Sequence, residues 1–252
     1  MITTRRATLA AILVACATIA ACSSNSGSGS GSAVTTGGQS APADGGAHQV
    51  THALGTTDVP DHPMRVVTFD QDLTLPTALL LGVPVVGSVV PTFGDSFPTY
   101  LDASTTSKIA NVGWWTDPNF EKIAGLHPDL IIGQDTTITQ SYDKLSKIAP
   151  TVAIKRDLTD WTTNVQAVAD ALGKSADIKT DLDAYRQRAS SIKQQLKDAG
   201  VDDKPVTLLN IRSTDDLRVY TSNCSSSALT DLGLSMTLAD KTEQGKQFGQ
   251  LS

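Results

Sequence analysis

The sequence predicts an α/β architecture in which two lobes are joined by one long helix. Three observations lead to it. Short runs of aliphatic residues, such as Val66-Val67 and Leu130-Ile131-Ile132, alternate with segments of helical spacing. Continuous apolar runs of this kind, each followed by a helix, fit parallel strands buried on both faces. One periodic stretch is much longer than the rest. Its apolar positions Ile178, Leu182, Tyr185, Ala189, Ile192 and Leu196 form a single stripe, with Lys, Arg, Asp and Gln elsewhere. Past Gly200 the strand and helix pattern begins again.

The chain starts with Arg5-Arg6 and an uncharged, mostly apolar stretch over 7–21. A membrane-spanning helix needs about 20 apolar residues, so length and flanks fit a secretory signal over residues 1–21. The arginine pair leaves the general and twin-arginine export routes both open. The stretch ends in Ile19-Ala20-Ala21-Cys22, which resembles the lipobox of bacterial lipoproteins. That resemblance implies cleavage before Cys22 and acylation of its thiol, anchoring the protein to a lipid bilayer outside the cytoplasm, at the cell surface or in the periplasm. Residues 22–48 are rich in Ser, Gly, Ala and Thr, and their one ionised side chain is Asp44. Such a segment cannot build a core and is expected to be a flexible tether with a reach of roughly 30 Å.

The first lobe is expected over residues 49–173. Residues 49–57 alternate like an edge hairpin strand, and 65–69 form an apolar run after Pro63. Residues 73–81 read as a helix closed by Gly82, and 84–90, 129–133 and 151–154 as buried strands. Helical spacing marks 119–126, 141–148 and 161–172. Residues 174–200 hold the connecting helix, from about 175 to 197 and roughly 34 Å long at the α-helical rise. The second lobe, 201–252, is expected to hold strands at 205–211 and 217–221 and a helix at 226–232 closed by Gly233.

Composition excludes several functions. The formal charge is −6, and loss of the two arginines of the signal leaves −8. With no basic cluster, nucleic-acid binding is excluded, because phosphate neutralisation needs excess Lys and Arg. Cys16 lies in the signal and Cys22 is the acylation site, so Cys224 stands alone as a buried small residue, and no disulfide is available. His48, His52, His62 and His127 do not converge by spacing, so no metal site is expected. There is no P-loop, dinucleotide fingerprint or nucleophile elbow, which speaks against an enzyme. Asn223-Cys224-Ser225-Ser226-Ser227 reads as a helix start with a serine cap.

Several phrases occur in a telling order. They are His52-Ala53-Leu54-Gly55-Thr56, Pro63-Met64-Arg65-Val66-Val67 and Leu80-Leu81-Gly82-Val83-Pro84-Val85-Val86-Gly87. Asn119-Phe120-Glu121-Lys122-Ile123, Leu126-His127-Pro128-Asp129-Leu130-Ile131-Ile132, Leu145-Ser146-Lys147-Ile148-Ala149-Pro150-Thr151-Val152 and Ala169-Asp170-Ala171-Leu172-Gly173 follow. In order and spacing, residues 49–252 resemble the substrate-binding lipoproteins of ferric-siderophore, haem and cobalamin ABC importers. The resemblance implies two Rossmann-like lobes, capture of a ferric siderophore in the cleft between them, and delivery to an ABC transporter permease. It implies no cofactor, since iron arrives inside its chelator. Cobalamin or haem is the alternative ligand, and a surface-anchored two-domain α/β hydrolase the alternative class. By the family pattern the second lobe is incomplete at Ser252, and the chain is expected to lack on the order of 70 residues of a ~300-residue, two-domain protein. Glu121 matches the family position that docks on a permease arginine. A Glu in the first turn of a helix is also favoured by the helix dipole, so both roles stand open.

In open α/β sheets ligands bind beyond the carboxyl ends of the strands. The candidate ligand-binding residues there are Gln71, Phe93, Trp114, Trp115 and Gln134 in the first lobe, and Arg212 and Tyr220 in the second. Of the tryptophan pair, one is expected in the core and one in the cleft, since neighbours in extended chain point opposite ways. Arg212 could meet a chelate's carboxylate or catecholate oxygens bidentately, or brace a loop. Asp72 is expected to cap the helix that begins at Leu73.

Overall fold

The computed structural model describes residues 46–91, 94–213, 216–220, 223–237 and 248–251. The signal, Cys22, nearly all of the tether and Phe93 lie outside the described residues. Strands β1 (Ala47–His52) and β2 (Gly55–Pro60) form an antiparallel hairpin, so the span 49–57 holds a turn as well as strand. The hairpin docks on the chain at 151–153, through Ala53 N–H to the Ala153 carbonyl (3.0 Å) and Thr57 Oγ1 to the Thr151 carbonyl (3.0 Å).

The central sheet then builds from β3 (Val66–Thr68), β4 (Val85–Val90), β5 (Ala110–Trp114), β6 (Asp117–Pro118), β7 (Leu130–Gln134) and β8 (Thr151–Ile154). Their order across the sheet is β6-β5-β4-β3-β7-β8; all neighbours run parallel except the short edge pair β5–β6. Around it lie α1 (Thr74–Leu80), α2 (Ala103–Thr106), α3 (Phe120–Gly125), α4 (Asp135–Ile138), α5 (Tyr142–Leu145) and α6 (Trp161–Ala171). The expected helix over 141–148 is shorter, a 3-10 turn at Thr139–Ser141 followed by α5.

Strand alternation splits the core into two layers. Val66, Leu130, Ile132, Val152 and Ile154 join one with residues of α1 and α6. Val67, Phe69, Ile131 and Ala153 face the opposite one with Ile123, Ile138 and Leu145. Both faces are covered, which is why the strands read as unbroken apolar runs rather than alternating ones.

Helix α7 (Ser175–Asp198) is the long connector, roughly 36 Å by its 24 residues. Ile178, Leu182 and Ala189 of its stripe are buried, and Gly200, at φ 63°, ends it in a conformation that a Cβ would disfavour. Beyond it lie β9 (Leu209–Ser213), β10 (Asp216–Tyr220), α8 (Cys224–Asp231) and β11 (Phe248–Leu251). These three strands pair antiparallel in the order β11-β10-β9. The strand expected over 205–211 starts later, at Leu209. Val206 instead makes a separate parallel bridge to Met236. Helix α8 is capped by Asn223 rather than a serine: Asn223 Oδ1 accepts from Ser226 N–H (2.8 Å), and Ser226 Oγ returns to Asn223 N–H (2.7 Å). Cys224, in its first turn, is exposed and not buried, because the cap turns that position outward.

Helix α8 meets the first α/β segment through α7. Trp161 and Tyr185 pack edge to face at 4.7 Å, Tyr185 Oη donates to Asp231 (2.7 Å), and Ser227 Oγ donates to the Thr159 carbonyl (3.0 Å).

The core is tight at Gly133 in β7, where an added Cβ would stand 2.7 Å from Phe69 Cβ and 3.3 Å from Ile138 Cδ1. Gly133→Ala is therefore expected to destabilise by about 1–3 kcal/mol. The check is a lower urea midpoint with an unchanged m-value.

Candidate functional site

Chain order within the sheet places the site. From β3 the chain steps outward to β4 and β5, then returns to lay β7 on the other side of β3 and β8 beyond it. The order reverses between β3 and β7, and the crevice at their carboxyl ends is where an open α/β sheet accepts a ligand.

Asp70, directly after β3, builds that crevice. It is 1% exposed and accepts four hydrogen bonds. Oδ1 takes the N–H groups of Leu73 (2.7 Å) and Thr74 (2.9 Å), and Oδ2 takes Thr74 Oγ1 (2.7 Å) and Gln134 N–H (3.1 Å). The helix cap expected of Asp72 thus belongs to Asp70. Asp72 is left pointing out beside it, because the cap needs a carboxylate that lies under the first turn of α1.

Gln71 is half-buried between these two aspartates. Its amide nitrogen lies 3.4 Å from Asp72 Oδ2, while its Oε1 is buried without a partner. Tyr100, from the long β4–β5 connection, reaches over and donates to the Gln71 carbonyl (3.0 Å). Burial first, and then the charge of Asp70, push the Asp72 carboxyl above the usual carboxylate range, with Arg156 and Gln71 opposing. Burial and the charges of Asp72 and Asp70 push the Tyr100 phenol up as well. On the far side, Asp135 begins α4 after β7, and its Oδ1 lies 3.4 Å from the backbone N–H of Arg156, which follows β8.

The expected site residues are distributed as follows. Gln71 follows β3 beside Asp70. Gln134 is buried, 5% exposed, with its N–H committed to Asp70. Trp114, the last residue of β5, is 39% exposed, and its indole N–H donates to the Gly94 carbonyl (3.2 Å). Trp115 packs against the core layer that holds Phe69. One tryptophan thus faces out and one inward, but the cause is a turn at 115–116 rather than extended chain. Tyr220 is half-buried at the end of β10. Arg212 lies within β9, with its side chain outside the described residues. Glu121 is exposed in the first turn of α3, which Asn119 caps through Oδ1 to Lys122 N–H (2.8 Å). Among the described residues no group of His, Cys, Asp and Glu could hold a metal.

Tyr100 and Arg156 were not among the residues expected. Arg156 carried a usable signal, since it follows the apolar run 151–154 just as Gln134 ends the run before it. Tyr100 carried none, because it lies within a connection of undefined pattern and is brought to Gln71 only by folding.

Two α/β segments lie on either side of a single long helix, and the larger sheet reverses its strand order between β3 and β7. The chain belongs to the periplasmic binding protein family, which matches residues 74–252. It is 31% identical over 248 residues to the iron(3+)-hydroxamate-binding protein FhuD of Bacillus subtilis, an alignment covering 95% of this chain and 73% of FhuD. It is 35% identical over 185 residues to the "Probable siderophore-binding lipoprotein YfiY" of the same organism, covering 73% of this chain and 56% of YfiY. The chain thus spans little more than half the length of that relative. Among solved structures, Staphylococcus aureus SirA complexed with staphyloferrin B superposes with a TM-score of 0.71 at 30% identity, over 81% of this chain and 70% of SirA.

Replacing Asp70 tests the floor of the crevice. Asp70→Ala strands the N–H groups of Leu73, Thr74 and Gln134 and is expected to cost roughly 2–3 kcal/mol. Asp70→Asn, which keeps one acceptor oxygen, loses less, and urea titration ranks the two. Asp72 makes a prediction with a pH sign. Because its carboxyl holds a proton more tightly folded than unfolded, its ionisation opposes folding, and stability falls as pH rises from the ordinary carboxylate value through the raised one. Asp72→Asn should therefore melt higher than the parent at pH 7, and the gain should vanish below about pH 4.

Proposed function

We propose that this protein captures a ferric siderophore in the cleft between its two α/β segments and passes it to the permease of an ABC importer. The observation that carries the reading is the crevice at the switch point. Past the carboxyl ends of β3 and β7, Asp70 ties the two strands together, Tyr100 donates to the Gln71 carbonyl, and Trp114 stands exposed at the end of β5. These are groups for holding a bulky polar ligand: an aromatic face and amide and phenol hydrogen-bonding groups. The relatives support the ligand class, since FhuD is named for iron(3+)-hydroxamate, YfiY for siderophores, and SirA is seen with staphyloferrin B.

Within this reading residues 49–173 and 201–252 are the two walls of the cleft, and 174–200 is the helix that spaces them. Trp115 supports Trp114 from the core side. Phe93, Gln134, Arg212 and Tyr220 belong to the binding surface or lie directly beneath it. The role is binding without catalysis. Glu121, exposed at the start of α3, docks on the permease, and acylated Cys22 holds the protein at the membrane outside the cytoplasm.

Tryptophan fluorescence tests the ligand class. Titration of the protein with ferric siderophores should give saturable quenching that the iron-free chelators do not produce. Trp114→Phe should remove most of that signal. Quenching by cobalamin or haem alone would overturn the siderophore assignment.

A further inference from the structure

The turn end of the β1–β2 hairpin covers the outer edge of β8, the last strand of the six-stranded sheet. Two hydrogen bonds tie it there, Ala53 N–H to the Ala153 carbonyl (3.0 Å) and Thr57 Oγ1 to the Thr151 carbonyl (3.0 Å). His52, half-buried at the end of β1, adjoins both ties. Its Nδ1 takes the N–H of Leu54 (3.2 Å), and its Nε2 lies 2.9 Å from Thr57 Oγ1. The ring packs at a tilt on Tyr142 of α5, with centroids 5.8 Å apart and Tyr142 Oη 3.5 Å from Nε2.

These contacts fix where the ring carries its proton. A hydroxyl has one hydrogen, and Thr57 gives its own to Thr151, so Thr57 Oγ1 accepts from Nε2–H. Nδ1 accepts from Leu54 and therefore carries none. His52 is thus neutral, and a relay runs from its Nε2–H through Thr57 to the Thr151 carbonyl. A second proton would go to Nδ1 and set it donor to donor against the Leu54 N–H. From α5 the group facing the ring is the Tyr142 phenol; Asp143 and Lys144 beside it are exposed, with Lys144 over the Phe120 ring (4.8 Å). On its other side His52 lines a groove of about 960 Å³ between β1, the chain beyond β8 and α6, whose charged or titratable groups are His48, Lys155, Arg156, Asp157 and Asp170. Burial is what holds the His52 pKa below the ordinary histidine value. Its support for the folded hairpin is therefore complete above about pH 6.5 and is lost as pH falls through the lowered value.

We propose that neutral His52 is a latch holding the turn end of the hairpin on β8, and that uptake of a proton opens it and uncovers the strand edge at Thr151 and Ala153. The opening is local. Val59 of β2 is fully buried in the core, and His48 is bonded to Asp61 (2.9 Å), so the base of the hairpin stays in place. The edge released is one that a folded protein has reason to cover, because unpaired strand N–H and C=O groups are a template for pairing with another chain. The device works on the scaffold and is independent of the ligand.

The test is NMR of the protein, read at the imidazole nitrogens and by amide hydrogen exchange corrected for its intrinsic pH dependence. In the parent, His52 should be the Nε2–H tautomer and titrate below the ordinary histidine value. Protection of the Ala53 amide should fall several-fold between about pH 7 and about pH 5, while that of Ile132 in β7 stays constant. His52→Gln can still donate to Thr57 but does not titrate, so its Ala53 protection should be the same at both pH values. His48→Gln should keep the parent's response. An Nδ1–H tautomer, or titration at or above the ordinary value, overturns the latch on the parent alone, whether or not the variants fold. Loss of Ala53 protection in His52→Gln equal to the parent's assigns the opening to another group and overturns it as well.

Discussion

The structure hangs on the pairing of β3 with β7, and each end of that pairing is held by an aspartate. At the amino end, Asp129 takes the N–H groups of Met64 (2.7 Å) and Arg65 (2.9 Å), and Arg65 returns its guanidinium to the Leu126 carbonyl. At the carboxyl end, Asp70 joins the tail of β3 to the first turn of α1 and to the end of β7. These two strands are far apart in sequence and carry no turn of their own to set their register. Charge-assisted bonds to backbone N–H groups supply it, and they are stronger than neutral ones. Since the switch point lies between β3 and β7, the clamp that orders the sheet also forms the floor of the crevice.

Everything above that floor is less committed. Gln71, Arg156 and Trp114 lie at or just past separate strand ends, and Tyr100 comes from the β4–β5 connection. Function sits on loops placed by a scaffold, and the scaffold tolerates their variation. The family can thus keep one fold while its members' names carry hydroxamate, citrate or petrobactin. The second α/β segment is set against the first through α7, with the Trp161–Tyr185 contact and the Tyr185–Asp231 hydrogen bond lying beside the long helix.

Much of the scaffold could be read in the chain before folding. Leu130-Ile131-Ile132 and Thr151-Val152-Ala153-Ile154 became strands of the six-stranded sheet because an aliphatic run long enough to cross a sheet has few other uses. The stripe from Ile178 to Ala189 became the buried side of α7. The segment around β5 was harder to see. Asn111-Val112-Gly113-Trp114 holds one aliphatic residue, and Gly113 sits at φ 97°, a conformation that breaks the alternation. The cap of α1 was assigned to Asp72, the nearer aspartate, because sequence spacing does not say which carboxylate the turn buries.

Local patterning by itself determined the strands β3, β4, β7 and β8 and the long helix α7. These depend on periodicity, and periodicity is written residue by residue along the chain. Tertiary structure alone decided that Asp70 rather than Asp72 caps α1, that Tyr100 closes over Gln71, and that Trp115 turns inward while Trp114 faces out. Each of these outcomes depends on distances between residues remote in sequence, and those distances exist only once β7 has returned to lie beside β3.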